Sequence, residues 1–129
     1  MKAPNSEQDF SRDWRRHCQA TETKLAYLQL CAPDRLPKIF KVEVSSQRLA
    51  EIVQALAEGF VSQSERCSAI FAAECLVELT KCGRFALNAR LMAKTAKASL
   101  QGMLKGLRDH GIDEALVEML VKEYGVSIL

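Results

Sequence analysis

Histidine occurs twice in this chain, tryptophan once and proline three times. Each scarcity removes a class of function. Acid–base and nucleophilic catalysis need side chains that converge, most often around a histidine. His110 stands where a helical pattern ends, a place where a cation is favoured by the last carbonyls. His17 lies beside Cys18, but neighbouring helical residues point about 100° apart, so the two form no thiol–imidazole pair. Neither C-x-x-C nor H-x-x-x-H spacing occurs, so zinc-type ligand sets are missing. Gly83, Gly102, Gly106 and Gly111 are scattered through helical pattern or helix ends, and none belongs to a phosphate-cradling loop. The expectation is a protein with no catalytic residues, no metal and no cofactor.

Charge of one sign is also missing. The formal net charge is +2, with lysine and arginine spread along the chain, whereas a duplex-binding protein concentrates them on one face. Eight aromatic residues are too few and too dispersed for a single-strand stacking platform. No apolar run approaches the roughly 20 residues that span a bilayer. The opening Met1-Lys2-Ala3-Pro4-Asn5 leads into polar residues and holds no signal-peptide core. Nucleic acid and membrane are therefore set aside as partners. Five cysteines, an odd number without framework spacing, read as reduced thiols and place the chain in the cytoplasm or nucleus.

What the chain does have is apolar residues, 48% of the total, recurring at helical spacing almost throughout. Phe10, Trp14 and His17/Cys18 form a stripe on a first helix, from about Ser6 to Gln19. Thr21 or Thr23 can cap a second, which Pro33 terminates. Leu36, Ile39 and Phe40 plug the core from a turn and short helix. Leu49, Ile52, Val53, Leu56 and Phe60 mark an amphipathic helix from Ser46 to Phe60. Ser62 and Glu65 have capping-box spacing ahead of a helix to about Cys82. Only Glu74, Glu78 and Lys81 keep that helix wet, which predicts it at the centre of the bundle, with Gly83 as its C′ stop. After Gly111, Asp113 caps a last helix, Ile112 staples to Val117, and Ala115, Leu116, Met119 and Leu120 supply the buried face. The prediction is an all-α domain over 1–129, residues 1–5 disordered: a compact bundle of six to seven helices, or a solenoid-like packing of them. No 34-residue repeat is present.

The segment Arg84–Leu107 reads as one helix with two apolar faces. With Phe85 at zero and about 100° per residue, Ala89, Met92, Ala96, Leu100, Met103 and Leu107 fall within about 60° of it. Arg84, Leu87 and Leu91 fall nearly opposite, with Lys94 and Ala98 nearby. Two arrangements account for the second face. Either the helix lies between two layers, or Leu87 and Leu91 form an exposed patch rimmed by Arg84, Arg90 and Lys94. An apolar centre edged by arginine is common anatomy for a protein–protein hot spot.

Asp13-Trp14-Arg15, Leu28-Gln29-Leu30, Leu36-Pro37-Lys38-Ile39-Phe40, Leu49 to Leu56, Gly83-Arg84-Phe85 and Lys122-Glu123-Tyr124-Gly125 occur in an order that spans nearly the whole chain. In that order and spacing the chain resembles the C-terminal domain of the RNA polymerase II-associated protein 3 family. Related domains occur in sperm-associated antigen and coiled-coil proteins that assemble ciliary dynein arms. The resemblance implies a monomeric, non-catalytic adaptor that binds the RuvB-like AAA+ ATPase ring and links it, indirectly, to a heat-shock protein 90 chaperone and its clients. It implies that Arg84, Leu87 and Leu91 carry that binding; relatives have Met and Phe where this chain has the two leucines. The chaperone-binding repeats of full-length relatives are missing, as in an excised domain or a short, repeat-free member. A second expectation is a dynein-arm assembly factor of the same fold, acting through self-association or microtubule binding. A helical enzyme or ligand carrier would need a deep cavity near His17.

Overall fold

A computed structural model describes residues 1–128. Among them, every regular element is helical: α1 (Glu7–His17), α2 (Thr21–Cys31), a 3-10 turn (Pro33–Arg35), α3 (Leu36–Ile39), α4 (Ser46–Val61), α5 (Ala69–Leu79), α6 (Phe85–Arg90), α7 (Lys94–Asp109) and α8 (Glu114–Tyr124). The apolar stripe of α4 explains its place. Leu49, Ile52, Val53 and Leu56 are fully buried, and α2, α5, α6 and α7 all pack against this one helix. The all-α compact bundle therefore forms around α4. The long helix expected at the centre, α5, instead lies to one side, between α4, α3 and the 3-10 turn.

An aromatic extension of the same core closes the end formed by α1 and α2. Phe10 stacks on Trp14 at 5.2 Å and meets Phe40 edge-on at 5.0 Å. The Arg48 guanidinium covers both Phe10 and Trp14, 5.7 and 5.9 Å from their ring centres. Asp13 is buried beside them and accepts a 2.7 Å hydrogen bond from the Tyr27 hydroxyl. That bond, with the nearby Arg12 cation, holds the Asp13 carboxyl below its ordinary pKa of 3.8. Its contribution is thus complete above the ordinary carboxylate range and is lost as pH falls through the lowered value. Asp13→Asn is expected to cost about 1.5 kcal/mol at pH 7, the scale of a hydrogen bond to a charged group. Urea midpoints from pH 7 to pH 3 check this: wild type should lose stability faster than the variant at the acid end.

Three boundaries differ from the sequence expectation. Ser62 ends α4 instead of starting α5: its hydroxyl donates to the Gly59 carbonyl at 3.2 Å. Gln63 then turns left-handed (φ 58°) and breaks the Ser62/Glu65 spacing, and α5 is capped by Ser68, which accepts from the Phe71 N–H at 3.1 Å. At α2 the cap position is Ala20, and the Thr23 hydroxyl folds back to accept its N–H at 3.2 Å. The segment from Arg84 to His110 is two helices. Leu91 and Met92 donate to carbonyls three residues back, and the chain reopens at Ala93 (ψ 147°) before α7. This division makes eight helices among the described residues. Asp113 does cap α8, accepting from the Ala115 N–H at 3.1 Å, but Ala115 itself is exposed, and Val117, Leu120 and Tyr124 face the core.

Candidate protein-docking surface

The surface around α6 is built from the loop that precedes it. Gly83 donates to the Phe40 carbonyl and accepts from the Val44 N–H, both at 2.9 Å, so the chain lies flat against the Phe40–Val44 link. This close approach, not helix termination, explains the glycine: a Cβ here would overlap the Val42 carbonyl oxygen. The reversal of direction falls on the next residue. Arg84 is left-handed at φ 57°, ψ 25°, a conformation that costs a side-chain-bearing residue about 1–2 kcal/mol.

From that corner α6 presents two faces. Phe85 is buried edge-on to Tyr124 at 4.8 Å, and Ala89 is fully buried one turn on. Between them Asn88 donates to the Val44 carbonyl at 2.9 Å and to Glu43 Oε2 at 3.0 Å, which bolts the helix to the α3–α4 link. Away from the core, Arg84 is exposed, and Leu87 and Leu91 are 59% and 62% exposed. Of the two arrangements the sequence allowed, the helix has the open one. Leu91 and Ala93 also border a shallow cleft with Ser46, Gln47, Ala50 and Glu51 at the start of α4. These α4 residues, like Asn88, join the surface through tertiary packing and have no local signature.

The basic residues divide. Arg84 makes no ion pair among the described residues and stands beside the leucines. Arg90 is occupied: its Nη1 donates to the Glu123 carbonyl at 3.0 Å, bracing the end of α8. Lys94 is exposed as the first residue of α7, across the Leu91–Ala93 break, so a single helical wheel no longer relates it to Leu87. Lys97 closes the break by donating to the Arg90 carbonyl at 2.9 Å.

Elsewhere, the Tyr27 hydroxyl, the thiols and His110 have structural partners or are buried. His17, Cys18, Ala26, Tyr27 and Leu30 border an apolar cleft, but the Tyr27 hydroxyl is taken by Asp13, and burial raises the Cys18 thiol above its ordinary range. All five cysteines are free and buried. Burial pushes Cys67 up to about 11 and Cys31 and Cys82 up to about 12, far from thiolate at neutral pH. His110 lies with Nδ1 2.8 Å from the Gly106 carbonyl oxygen and its ring edge-on to Phe60, a helix-end role. No helix among the described residues is long and apolar enough to cross a membrane.

Comparison with known proteins points to one family. The family model described as the potential Monad-binding region of RPAP3 matches residues 3–97. A dynein axonemal assembly factor 19 homolog of Chlamydomonas reinhardtii is 32% identical over 119 residues, covering 83% of this chain and 45% of that protein. Dynein axonemal assembly factor 19 of Mus musculus is 32% identical over 121 residues, covering 93% and 49%. The chain thus spans just under half the length of these curated relatives. The NMR structure of the C-terminal domain of human RPAP3 superimposes with a TM-score of 0.82 over 94% of this chain and 87% of that one. At 21% identity that likeness is one of fold. The order of motifs, the matched family model and the shared helical architecture agree: the chain belongs to the family of the potential Monad-binding region of RPAP3.

Proposed function

We propose that this chain is an adaptor domain that docks on a RuvB-like AAA+ ATPase through Arg84, Leu87 and Leu91. On this reading it links the ATPase, indirectly, to a heat-shock protein 90 chaperone and its clients. The observation that carries the proposal is the exposed leucine pair beside an arginine that makes no ion pair among the described residues, on a short helix fixed from behind by Phe85, Asn88 and Gly83. A preformed apolar patch meets its partner at a reduced ordering cost, and an arginine at its edge adds directional hydrogen bonds. Arg90 braces α8, and Lys94 adds charge at the margin. The names of the relatives favour a second reading, assembly of axonemal dynein; self-association or microtubule binding would be its working contact.

The test is a pull-down with purified RuvB-like ATPase. Leu91→Ala alone is expected to weaken binding by about 2 kcal/mol, or roughly 30-fold. Arg84→Ala with Leu91→Ala should abolish capture while the helical circular dichroism stays unchanged. Unaltered capture by the double variant rejects the site. A stable homo-oligomer in light scattering, with no capture by the wild-type chain, favours the second reading.

A further inference from the structure

The side of α5 turned from α4 is neither wholly polar nor covered. Ile70, Ala73 and Val77 follow at i, i+3 and i+7 along it, and across a cleft of about 670 Å³ they face Ile112 and Leu116. Ile70 is 66% exposed, while Val77, Ile112 and Leu116 are half-buried. The cleft follows from how α8 is attached. Tyr124 binds one end of α8 to α5 through the Leu76 carbonyl, and Ile112 and Leu116, at the other end, border the opening.

The rim carries charge of one dominant sign. Asp34 and Glu74 make no ion pair among the described residues, and Glu78 is bound to Lys81 at 2.6 Å. This local acidic excess occurs in a chain whose formal net charge is +2. It alternates with the apolar side chains on the same helix face. None of these residues borders the Leu91 cleft.

We propose that the α5–α8 cleft is a second docking site, which takes a cationic amphipathic helix from another protein. Apolar side chains one and two turns apart would settle on Ile70, Val77, Ile112 and Leu116. Lysines or arginines flanking them would pair with Asp34 and Glu74, which fixes direction and speeds encounter. The site is independent of the α6 surface, so one protein could hold two partners at once.

The probe is a labelled helical peptide with leucines at i, i+3 and i+7 and lysines on both flanks, titrated by fluorescence anisotropy. Asp34→Lys with Glu74→Lys is expected to weaken it at least tenfold, and Ile70→Asp to do the same. Leu91→Asp should leave it unchanged. All these positions are exposed, so circular dichroism should match wild type. The proposal is overturned if wild type does not bind the peptide, if a glutamate-for-lysine peptide binds equally well, or if Leu91→Asp removes binding. Dimerisation that Ile70→Asp abolishes would also overturn it, because a second copy would then be the occupant.

Discussion

Tyr124→Ala should be among the most destabilising single substitutions in the domain, with a loss of about 4 kcal/mol. The side chain is fully buried and does two separable jobs. Its ring packs edge-on to Phe85 at 4.8 Å and so supports α6 from behind. Its hydroxyl donates at 2.7 Å to the Leu76 carbonyl in the last turn of α5, where carbonyls lack a partner four residues on. Tyr124→Phe retains the ring and leaves that carbonyl without its donor, at about 1–2 kcal/mol. A helical domain of ordinary stability has about 5–15 kcal/mol in all, so the alanine variant consumes a large share of it. Thermal unfolding checks both. The expected drops are on the order of 15 °C for alanine and 5 °C for phenylalanine. Equal drops would mean that the hydroxyl carries the whole effect.

Two glycine-to-alanine substitutions should move stability in opposite directions. At Gly83 the new methyl group meets the carbonyl of Val42 and that of Lys41, backbone atoms that cannot rotate away. Both 2.9 Å hydrogen bonds that hold the Phe40–Val44 link depend on that contact. Gly83→Ala should therefore cost about 3 kcal/mol, the upper end for forced overpacking. It should also loosen Asn88 from Val44 and so disorder α6. At Gly102, inside α7, nothing lies within 4 Å of an added Cβ. Gly102→Ala should gain about 1 kcal/mol from helix propensity alone. Chemical denaturation of both variants decides the matter, and a destabilised Gly102→Ala would show that the glycine serves a contact of its own.

Elements whose rules act within one turn were legible in the sequence. The α4 stripe, the stop at Pro33 and the Asp113 cap depend on residues a few positions apart, and they stand where periodicity and capping place them. The break at Leu91–Ala93 was not legible, since no glycine or proline marks it. It is imposed by Asn88 and Arg90, which hold α6 to the α3–α4 link and to α8 while α7 runs along α4. Ser62 and Glu65 show the converse, a correct local pattern overridden when Ser62 became the end of α4 and Gln63 turned left-handed. The outward leucines of α6 were legible as a second apolar face. Whether that face met solvent or protein depended on the neighbours; likewise the α5 wall of the α5–α8 cleft had an apolar signal, but its pairing with Asp34, Ile112 and Leu116 had none.

The five cysteines carry a consequence for the kinetics of the fold. Each is at most 5% exposed, and they are distributed over the end of α1, the end of α2, the α4–α5 link, α5 and the loop before α6. A thiolate-seeking reagent in solution reaches such a group only while its segment is open. Modification therefore proceeds at the pace of local opening, position by position, slowest where the bundle opens last. The buried thiols act as a set of clocks, each timing the part of the bundle that encloses it.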